Sequence, residues 1–547
     1  MPIHRHAART SRRLPFLLLI LLLPALALTP IGCPSGGGGN PEAGNGRVLN
    51  CDLAADPEKL DPATMTGVPE GRVVFNVFEG LFMPTPDGEL VPGGLPWPVV
   101  YGAAESHTVS DDQLTWTFKL RANGKWHNGD PVTANDFVYA WKRVLTMNTD
   151  YAEMMDRVKN AHAFREKELT NFDEVGFKVI DPLTLSITLA DPCRYLPELL
   201  AFYSWFPVNQ KVVEQFGEDW TRVEHYVGNG AFKLTAFAQK AEIVLEKFSD
   251  FHDAASVKLD KVVLHIIVDA TARETRFETG GIDMLIGGID AAKIDKWRGN
   301  PAFHVDNYLG CYFYRFNCAA PALKDKRVRH ALSLAIDRDS LCRTVWRRTF
   351  TPATGFVPPI EGYKTPDMMR TDVEAARKLL AEAGYKDGAD FPRLSILFNT
   401  DTNHERVAVD IQQQWKTQLG INVDLEQAEW KTVLDRVDKM NFLIERAGWI
   451  ADWTEPDTFL DIFQTAAGNN DTAWSNPAYD SLLAQARKES DRSKRMALYE
   501  QAEKILLDDM PIMPLGFYTN PRLVSPRVVG YKAHPRGVVL FRYMDVR

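Results

Sequence analysis

The side chains best suited to chemistry lie in one short segment near the C-terminal end of the chain. Residues 444–460 read I-E-R-A-G-W-I-A-D-W-T-E-P-D-T-F-L, and they combine a cation, an anion and two aromatic rings: Arg446, Asp452, Trp449 and Trp453. The first half of this segment reads as a strand, in which Gly448 would let another backbone approach closely. A ligand that carries both charges, with apolar groups between them, would fit this set.

Each of these residues also has a purely structural interpretation. Asp452 precedes a Thr-Glu-Pro turn and could simply hydrogen-bond the backbone of that turn. The two tryptophans could be core residues. Arg446 could form a weak surface ion pair with its neighbour Glu445. The local sequence therefore permits a ligand site here without requiring one.

A histidine at a strand-to-helix junction is a further candidate. Residues 394–399 read as a strand, and the string T-D-T-N-H-E-R, which contains His404, leads into a helix over 407–419. A second strand follows over 421–425, so this β-α-β unit predicts parallel strands in a layered α/β domain. Ligand groups are commonly met at such junctions. The string H-E-R-V-A lacks the second histidine of H-E-x-x-H, which excludes a metalloprotease site of that type.

Composition and missing motifs exclude several other classes of protein. A chain of 547 residues is expected to form two or three domains, and its net charge of −9 argues against nucleic acid as a partner. The chain has neither the G-x-x-x-x-G-K-[ST] motif of ATP-binding loops nor the G-x-S-x-G motif of serine hydrolases. We therefore expect a non-enzymatic protein without a cofactor or a metal. A secreted peptidase or glycosidase is the enzymatic alternative.

The N-terminus has the pattern of an export signal. Residues 1–13 carry four arginines and no acid, and the apolar run over 14–28 is too short for a comfortable membrane span. The string L-T-P-I-G-C resembles a bacterial lipoprotein processing site, which implies a lipid anchor on Cys33; a plain secretory signal is the alternative. The Gly-rich residues 34–46 predict a flexible tether. We expect an extracytoplasmic protein held at a membrane surface.

Other segments have periodicities typical of single elements. Residues 60–70, which end in G-V-P-E, read as a loop rich in turn formers, and apolar spacing then predicts a helix over 72–82. Thr133 or Asn135 is the candidate cap for the helix that follows the turn at Asn128-Gly129. A strand over 309–317 is expected to cross from one lobe to another. Residues 477–507 read as helical, and 511–518 read as a strand.

Several motifs together resemble the family 5 extracellular solute-binding proteins, and in particular the oligopeptide-binding proteins of ABC importers. They are A-G-W-I-A-D-W-T-E-P, G-V-P-E, R-A-N-G-K-W-H-N-G-D-P-V-T-A-N-D-F and E-W-K, and they extend over nearly all of the chain after residue 46. The resemblance implies a two-lobed α/β fold like that of periplasmic binding proteins, with an extra inserted domain and hinge closure over the ligand.

The same resemblance implies domain boundaries. The signal peptide would cover 1–33 and the tether 34–46. Lobe I would combine 47–82, 211–309 and 520–547, the extra domain would be inserted over 83–210, and lobe II would cover 310–519. The ligand would lie between the two lobes.

The resemblance also implies a set of ligand-binding residues: Asp452, Arg446, Gly448, Trp449, Trp430, His404 and Glu70. The aspartate would bind the α-amino group of a peptide, and the arginine and the histidine would meet its carboxylate. The glycine and the glutamate would lie along the peptide backbone. The two tryptophans would line side-chain pockets, with core packing as their alternative.

A peptide receptor of this family would act as a monomer and deliver its ligand to the permease and ATPase subunits of an ABC importer. Relatives that bind murein peptides, nickel, haem or sugars are the alternative within the family. Some members have a disulfide between the A-G-W-C-A-D segment and the crossing strand. Here those positions hold Ile450 and Gly310 or its neighbour, so that disulfide is not expected.

Overall fold

The computed structural model describes residues 46–89, 91, 98–428, 430–465, 467–489 and 491–547, and at residues 291, 402, 430 and 431 it describes the backbone alone. The predicted signal segment with Cys33, and the tether as far as residue 45, lie outside the described residues. Within them, no helix has both the length and the apolar character that crossing a membrane requires. The same residues contain no group of three or more His, Cys, Asp or Glu side chains that could hold a metal ion.

Nineteen strands are present in the described residues. They are β1 (Val48–Leu53), β2 (Phe82–Pro84), β3 (Val99–Tyr101), β4 (Ala104–Val109), β5 (Thr115–Leu120), β6 (Phe177–Asp181), β7 (Thr184–Thr188), β8 (Phe232–Ala238), β9 (Glu242–Lys247), β10 (Lys261–Ile266), β11 (Met284–Leu285), β12 (Phe303–Phe316), β13 (Phe350–Pro352), β14 (Leu394–Asn399), β15 (Val423–Ala428), β16 (Ile444–Ile450), β17 (Ile512–Val524), β18 (Val528–Val529) and β19 (Asp545–Val546).

Fifteen α-helices are present in the same residues. They are α1 (Val68–Val77), α2 (Ala134–Met147), α3 (Ala161–Arg165), α4 (Leu196–Leu199), α5 (Gln210–Phe216), α6 (Ala270–Glu278), α7 (Ile294–Trp297), α8 (Lys326–Leu334), α9 (Arg338–Thr344), α10 (Val373–Glu382), α11 (Thr402–Leu419), α12 (Trp430–Asp438), α13 (Asp457–Leu460), α14 (Pro477–Lys488) and α15 (Arg492–Asp509). Short 3-10 helices occupy Ala152–Arg157, Phe172–Glu174, Tyr203–Trp205, Gly217–Thr221, Ala291–Lys293, Lys386–Gly388, Asp461–Phe463 and Phe541–Tyr543.

One eleven-stranded sheet runs through the fold. Its order is β15-β14-β16-β12-β17-β11-β1-β10-β9-β8, with β13 paired to β17. The long strands β12 and β17 are antiparallel neighbours near its centre. β14 and β15 are parallel, as the predicted β-α-β unit requires, because α11 forms the crossover between them. β16 lies between β12 and β14, so the strand that leads to the predicted site is an internal strand of the sheet.

Two large hydrophobic cores pack on different parts of this sheet. The first core draws its buried residues from 49–286 and 524–546, together with Trp453. The second core draws its buried residues from 309–517. Trp453 therefore joins the first core, although Ala451 and Phe459 on either side of it belong to the second. The stretch around Trp453 connects the two cores.

A separate four-stranded sheet, in the order β4-β5-β7-β6, lies within the range predicted as an insertion. Its apolar residues, such as Phe118 and Leu185, belong to the first core. Helix α2 packs against it, and the ring centroid of Trp141 lies 4.6 Å from that of Phe177. This sheet is thus continuous with the first core through side-chain packing.

Helix α2 begins at the predicted cap. The backbone N–H and the hydroxyl of Thr133 both donate to the carboxylate of Asp136 at 2.8 Å. We expect Thr133→Ala to lower the free energy of unfolding by about 1 kcal/mol, the usual cost of losing such a cap. Urea denaturation measures it, with Thr146→Ala as the matched control, because Thr146 is exposed on the same helix and bonds only its own helix at Lys142. Equal stability of both variants would contradict the assigned cap.

One helix differs from its predicted bounds at both ends. The helix predicted over 72–82 is α1, Val68–Val77, and the chain has already entered β2 at Phe82. The G-V-P-E string expected in a loop therefore opens a helix. Pro69 lies in the first turn, where its missing N–H removes no helical hydrogen bond.

Other elements have the predicted type with different bounds. α11 begins at Thr402, five residues early, because Asp401 caps the N–H groups of Asn403 and His404. β12 and β17 are each longer than the predicted strands. The region predicted as helical over 477–507 consists of two helices, α14 and α15.

Candidate functional site

Strand β16 carries the predicted site residues to the edge of a cavity. Gly310 on β12 lies directly opposite Ile450 on β16, so the two positions at which no disulfide was expected are cross-strand neighbours. Beyond Ile450 the chain turns, and the backbone N–H of Asp452 donates to the hydroxyl of Thr458 at 3.0 Å. This hydrogen bond holds the backbone at Asp452, directly after the end of the strand.

A buried ion pair and a side-chain hydrogen bond hold the turn after β16. Glu455 accepts two hydrogen bonds from the guanidinium of Arg495, at 2.9 and 2.7 Å. The indole N–H of Trp453 donates to Asp457 at 2.6 Å. Burial, with the nearby Asp461, raises the pKa of Asp457 to about 8. These contacts position the segment before any ligand arrives, which lowers the entropic cost of binding.

The cavity at the end of β16 has a volume of about 350 Å³. Residues from both cores and from the C-terminal tail form its wall, and most of them are apolar or aromatic. Its charged wall residues in the described part of the chain are Arg72, Asp452 and Arg536. An apolar cavity with a few convergent polar groups is the usual form of a small-ligand site. Among the predicted site residues, Asp452 and Trp449 lie on its wall.

The carboxylate of Asp452 is the acidic group on this wall. Burial raises the pKa of Asp452 to about 7, opposed by Arg536 and assisted by Glu153. Arg536 donates a hydrogen bond to the backbone carbonyl of Asp452, and no described residue donates one to the Asp452 carboxylate. A half-buried carboxylate that accepts no hydrogen bond from the described residues is a suitable partner for a cationic group of a ligand.

The predicted residues Arg446 and His404 lie together in a second group, and neither is on the wall of the cavity. The guanidinium of Arg446 donates to the hydroxyl of Tyr518 at 3.0 Å and lies 4.6 Å from the ring centroid of Tyr312. The Tyr312 hydroxyl is 3.2 Å from Nδ1 of His404. Burial and the charge of Arg446 lower the pKa of His404 to about 4, so this imidazole is neutral at pH 7.

Gly448 and Trp449 lie between these two groups on β16. Gly448 is exposed, and a Cβ at this position would lie 2.6 Å from the hydroxyl of Tyr518. Only glycine therefore lets Tyr518 reach Arg446 without displacement. The indole of Trp449 packs partly on the second core, and its buried N–H has no hydrogen-bond partner among the described residues.

Glu70 has a local role in the structure. It lies in the first turn of α1, and its carboxylate accepts a hydrogen bond from the backbone N–H of Glu58 at 2.6 Å. A Cβ at Gly67 would lie 1.9 Å from this carboxylate, so the side chain covers the start of its own helix. Its neighbours Gly67 and Gly71 line the cavity, and Glu70 itself does not. For Trp430, the side chain lies outside the described residues.

Most of the wall residues were missed by the sequence predictions, among them Arg72, Tyr151, Tyr203 and Arg536. Arg72 could have been noticed as the single cation in the apolar string V-P-E-G-R-V-V-F. Arg536 follows a His-Pro turn in the C-terminal tail, and no pattern there indicates a site. The two tyrosines lie in segments with no recognisable ligand motif.

The two residues after Asp452 contact the first core directly. The ring of Trp453 stacks on that of Tyr195, with centroids 4.9 Å apart and an interplanar angle of 1°. The N–H and the hydroxyl of Thr454 both donate to the carboxylate of Glu198, at 2.7 and 2.6 Å. We call residues 453–454 the bridging pair, because they join the second-core side of the cavity to the first core.

The fold and the cavity define a solute-binding protein, and comparison with known proteins identifies the family. Residues 98–471 match the bacterial extracellular solute-binding proteins, family 5 (Middle region). The chain belongs to this family, as its motifs predicted. The oligopeptide-binding protein OppA of Bacillus subtilis (strain 168) is 33% identical over 542 residues, covering 96% of this chain and 97% of that protein.

Solved structures confirm the predicted class of fold. The murein tripeptide binding protein MppA of Escherichia coli is 34% identical, with a TM-score of 0.79, and the match covers 92% of this chain and 99% of that chain. Haemophilus influenzae OppA in complex with the peptide RPPGFSPFR is 32% identical, with a TM-score of 0.78, and the match covers 92% and 99%. The α/β fold of the periplasmic binding proteins is therefore the fold of this chain.

Proposed function

We propose that this protein captures oligopeptides with a free amino terminus in the cavity beside Asp452 and delivers them to the permease and ATPase subunits of an ABC importer. The observation that carries the proposal is the Asp452 carboxylate, which lies on the cavity wall with no donor from the described residues and with its pKa raised by burial. Relatives named as oligopeptide-binding proteins support a peptide as the ligand.

An ammonium group is the partner that suits this carboxylate. A charge-assisted hydrogen bond from an α-amino group is stronger than a neutral one, and it gains further strength where the surroundings exclude water. The pairing would also return the pKa of Asp452 toward its ordinary value, since a nearby positive charge favours the ionised form. A cavity of about 350 Å³ accommodates the first residues of a peptide, and the rest would extend along Gly448 toward Arg446 and His404.

The two cores are, in this proposal, the two lobes of the binding protein, with the predicted boundaries and the insertion over 83–210. The bridging pair belongs to lobe II and contacts lobe I, which suits a closed form around a ligand. The protein would work as a monomer without enzymatic activity. A lipid on Cys33 would hold it at the outer face of the membrane, as the L-T-P-I-G-C string favours.

Acetylation of the peptide amine tests the proposal. Residues Gly46–Arg547 form one compact unit, so this part of the chain can be titrated calorimetrically with di- to hexapeptides and with their N-acetylated forms. We expect acetylation to weaken binding by about 100-fold or more, because it removes the charge and leaves Asp452 buried without a partner.

Amidation of the peptide C-terminus provides the matched control, since it removes a charge at the other end. Acetylated and free peptides that bind equally well would overturn the role of Asp452 and favour a ligand without an amine. Failure of every peptide to bind would overturn the assignment as a peptide receptor.

A further inference from the structure

The cavity that holds Asp452 also carries two arginines from opposite ends of the chain. Arg72 comes from α1, and Arg536 comes from the tail after β18. Arg72 is buried and Arg536 is half-buried, and both lie on the wall of the same cavity of about 350 Å³. The proposed amine site therefore has positive charge beside it, and that charge is not needed to bind an ammonium group.

Arg72 has no carboxylate partner among the described residues. Its guanidinium donates to the backbone carbonyl of Gly537. Burial and the neighbouring Arg522 lower the pKa of Arg72 to about 9. Arg522 has its own acidic partner, because its Nε lies 3.6 Å from the carboxylate of Asp306. A buried arginine without a counterion is costly, and a ligand anion would compensate it.

Arg536 is also incompletely neutralised. It donates to the backbone carbonyl of Asp452, and its Nε is buried without a hydrogen-bond partner. Burial lowers the pKa of Arg536, and the charges of Glu198 and Asp452 oppose that effect. Glu198 already accepts two hydrogen bonds from Thr454. When Asp452 pairs with a ligand amine, the ammonium charge offsets the attraction between Asp452 and Arg536.

We propose that Arg72 and Arg536 form an anion subsite, which selects peptides with an acidic side chain at the first or second residue. The inference rests on the proposed function, since it takes the amine to lie at Asp452. The small volume of the cavity limits which residue of the peptide can carry the acidic side chain. One extended residue covers about 3.5 Å, so only groups within a residue or two of the amine remain inside the cavity.

A preference for glutamate over glutamine tests the subsite. We expect Glu-Ala-Ala or Ala-Glu-Ala to bind about tenfold or more tightly than its matched glutamine peptide, as for other hydrogen bonds to charged groups. Calorimetry gives this affinity ratio for the wild type and for Arg72→Gln and Arg536→Gln. In both variants the ratio of glutamate-peptide to glutamine-peptide affinity is expected to fall toward one. If the arginine had only a structural role, its replacement would weaken the binding of both peptides equally.

Arg393→Gln is the matched control, because Arg393 is exposed and pairs with Asp424 at 2.7 Å on the surface. The affinity ratio of this variant should equal that of the wild type. Tight binding of both peptides without a preference for glutamate, or a preference retained in both cavity variants, would overturn the subsite and leave the peptide receptor intact. Absence of binding by every free peptide would overturn both proposals. Circular dichroism and thermal unfolding establish that each variant is folded.

Discussion

Replacing Asp452 by asparagine is expected to weaken the binding of an unmodified peptide by about 100-fold or more, since truncating one partner of a buried charge pair costs about 2–5 kcal/mol. The substitution keeps the size of the side chain and removes its charge, so the ammonium of the ligand would be buried opposite a neutral amide. Calorimetric titration with an amine-bearing tripeptide measures the loss.

Asp435→Asn provides the control for the loss of one negative charge. Asp435 lies on α12, is mostly exposed and pairs with Lys439 at 2.6 Å. We expect no measurable change in affinity from this variant. If the Asp452 variant binds as tightly as the wild type, the amine lies elsewhere.

The same Asp452→Asn change is expected to have the opposite sign for stability. Burial raises the pKa of Asp452 from 3.8 to about 7 in the folded protein. The ionised form therefore destabilises the empty fold, with a cost that is absent below pH 4 and complete above pH 7. Removing it should stabilise the ligand-free protein at pH 8 by about 2 kcal/mol, less than the full shift implies because solvent enters the cavity. Thermal unfolding of both proteins at pH 8 and pH 4 measures the difference.

A bell-shaped pH dependence of affinity is the second large effect. The empty site has an Asp452 pKa of about 7, and a bound ammonium lowers it, so below pH 7 binding must first release a proton. Affinity should fall about tenfold per pH unit there, or about 100-fold between pH 7.5 and pH 5. Above pH 8 the α-amino group of the peptide loses its own proton, and affinity should fall again.

Other buried acids titrate in the same range, which makes a variant necessary for the assignment. Burial raises the pKa of Glu445 and of Glu503 to about 7 and that of Asp457 to about 8. None of the three lies on the cavity wall. Asp452→Asn should therefore abolish most of the acidic limb, and a limb of unchanged slope in this variant would assign it to another group. Calorimetry in buffers of different ionisation enthalpy also counts the released protons.

Much of the fold could be predicted because local patterns and the tertiary environment agree. The β14-α11-β15 unit has apolar strands around an amphipathic helix, so its parallel pairing followed from the sequence. The helix over 72–82 was placed wrongly because Pro69 was interpreted as part of a loop, whereas it opens α1. The first part of β12 was missed because it is mainly half-buried or exposed, with no apolar run to indicate a strand.

The site could be predicted only where one segment contains its residues. Trp449 lies near the end of β16 and Asp452 lies two residues beyond that end, so the same segment places both on the cavity wall. Arg446 and His404 approach each other through Tyr312, a contact that no sequence spacing could indicate. Arg72 and Arg536 meet only when the tail returns to α1, and proximity of that kind depends on the complete tertiary fold.

The position of the bridging pair has a consequence for kinetics. Asp452 would bind the ligand, and the next two residues contact Tyr195 and Glu198 of the first core. In the proposed closed form these contacts would have to break before a ligand at Asp452 could leave. The dissociation rate constant would then depend on opening of the protein as well as on the ligand's own contacts. Even a weakly bound ligand would then remain for at least as long as the protein takes to open.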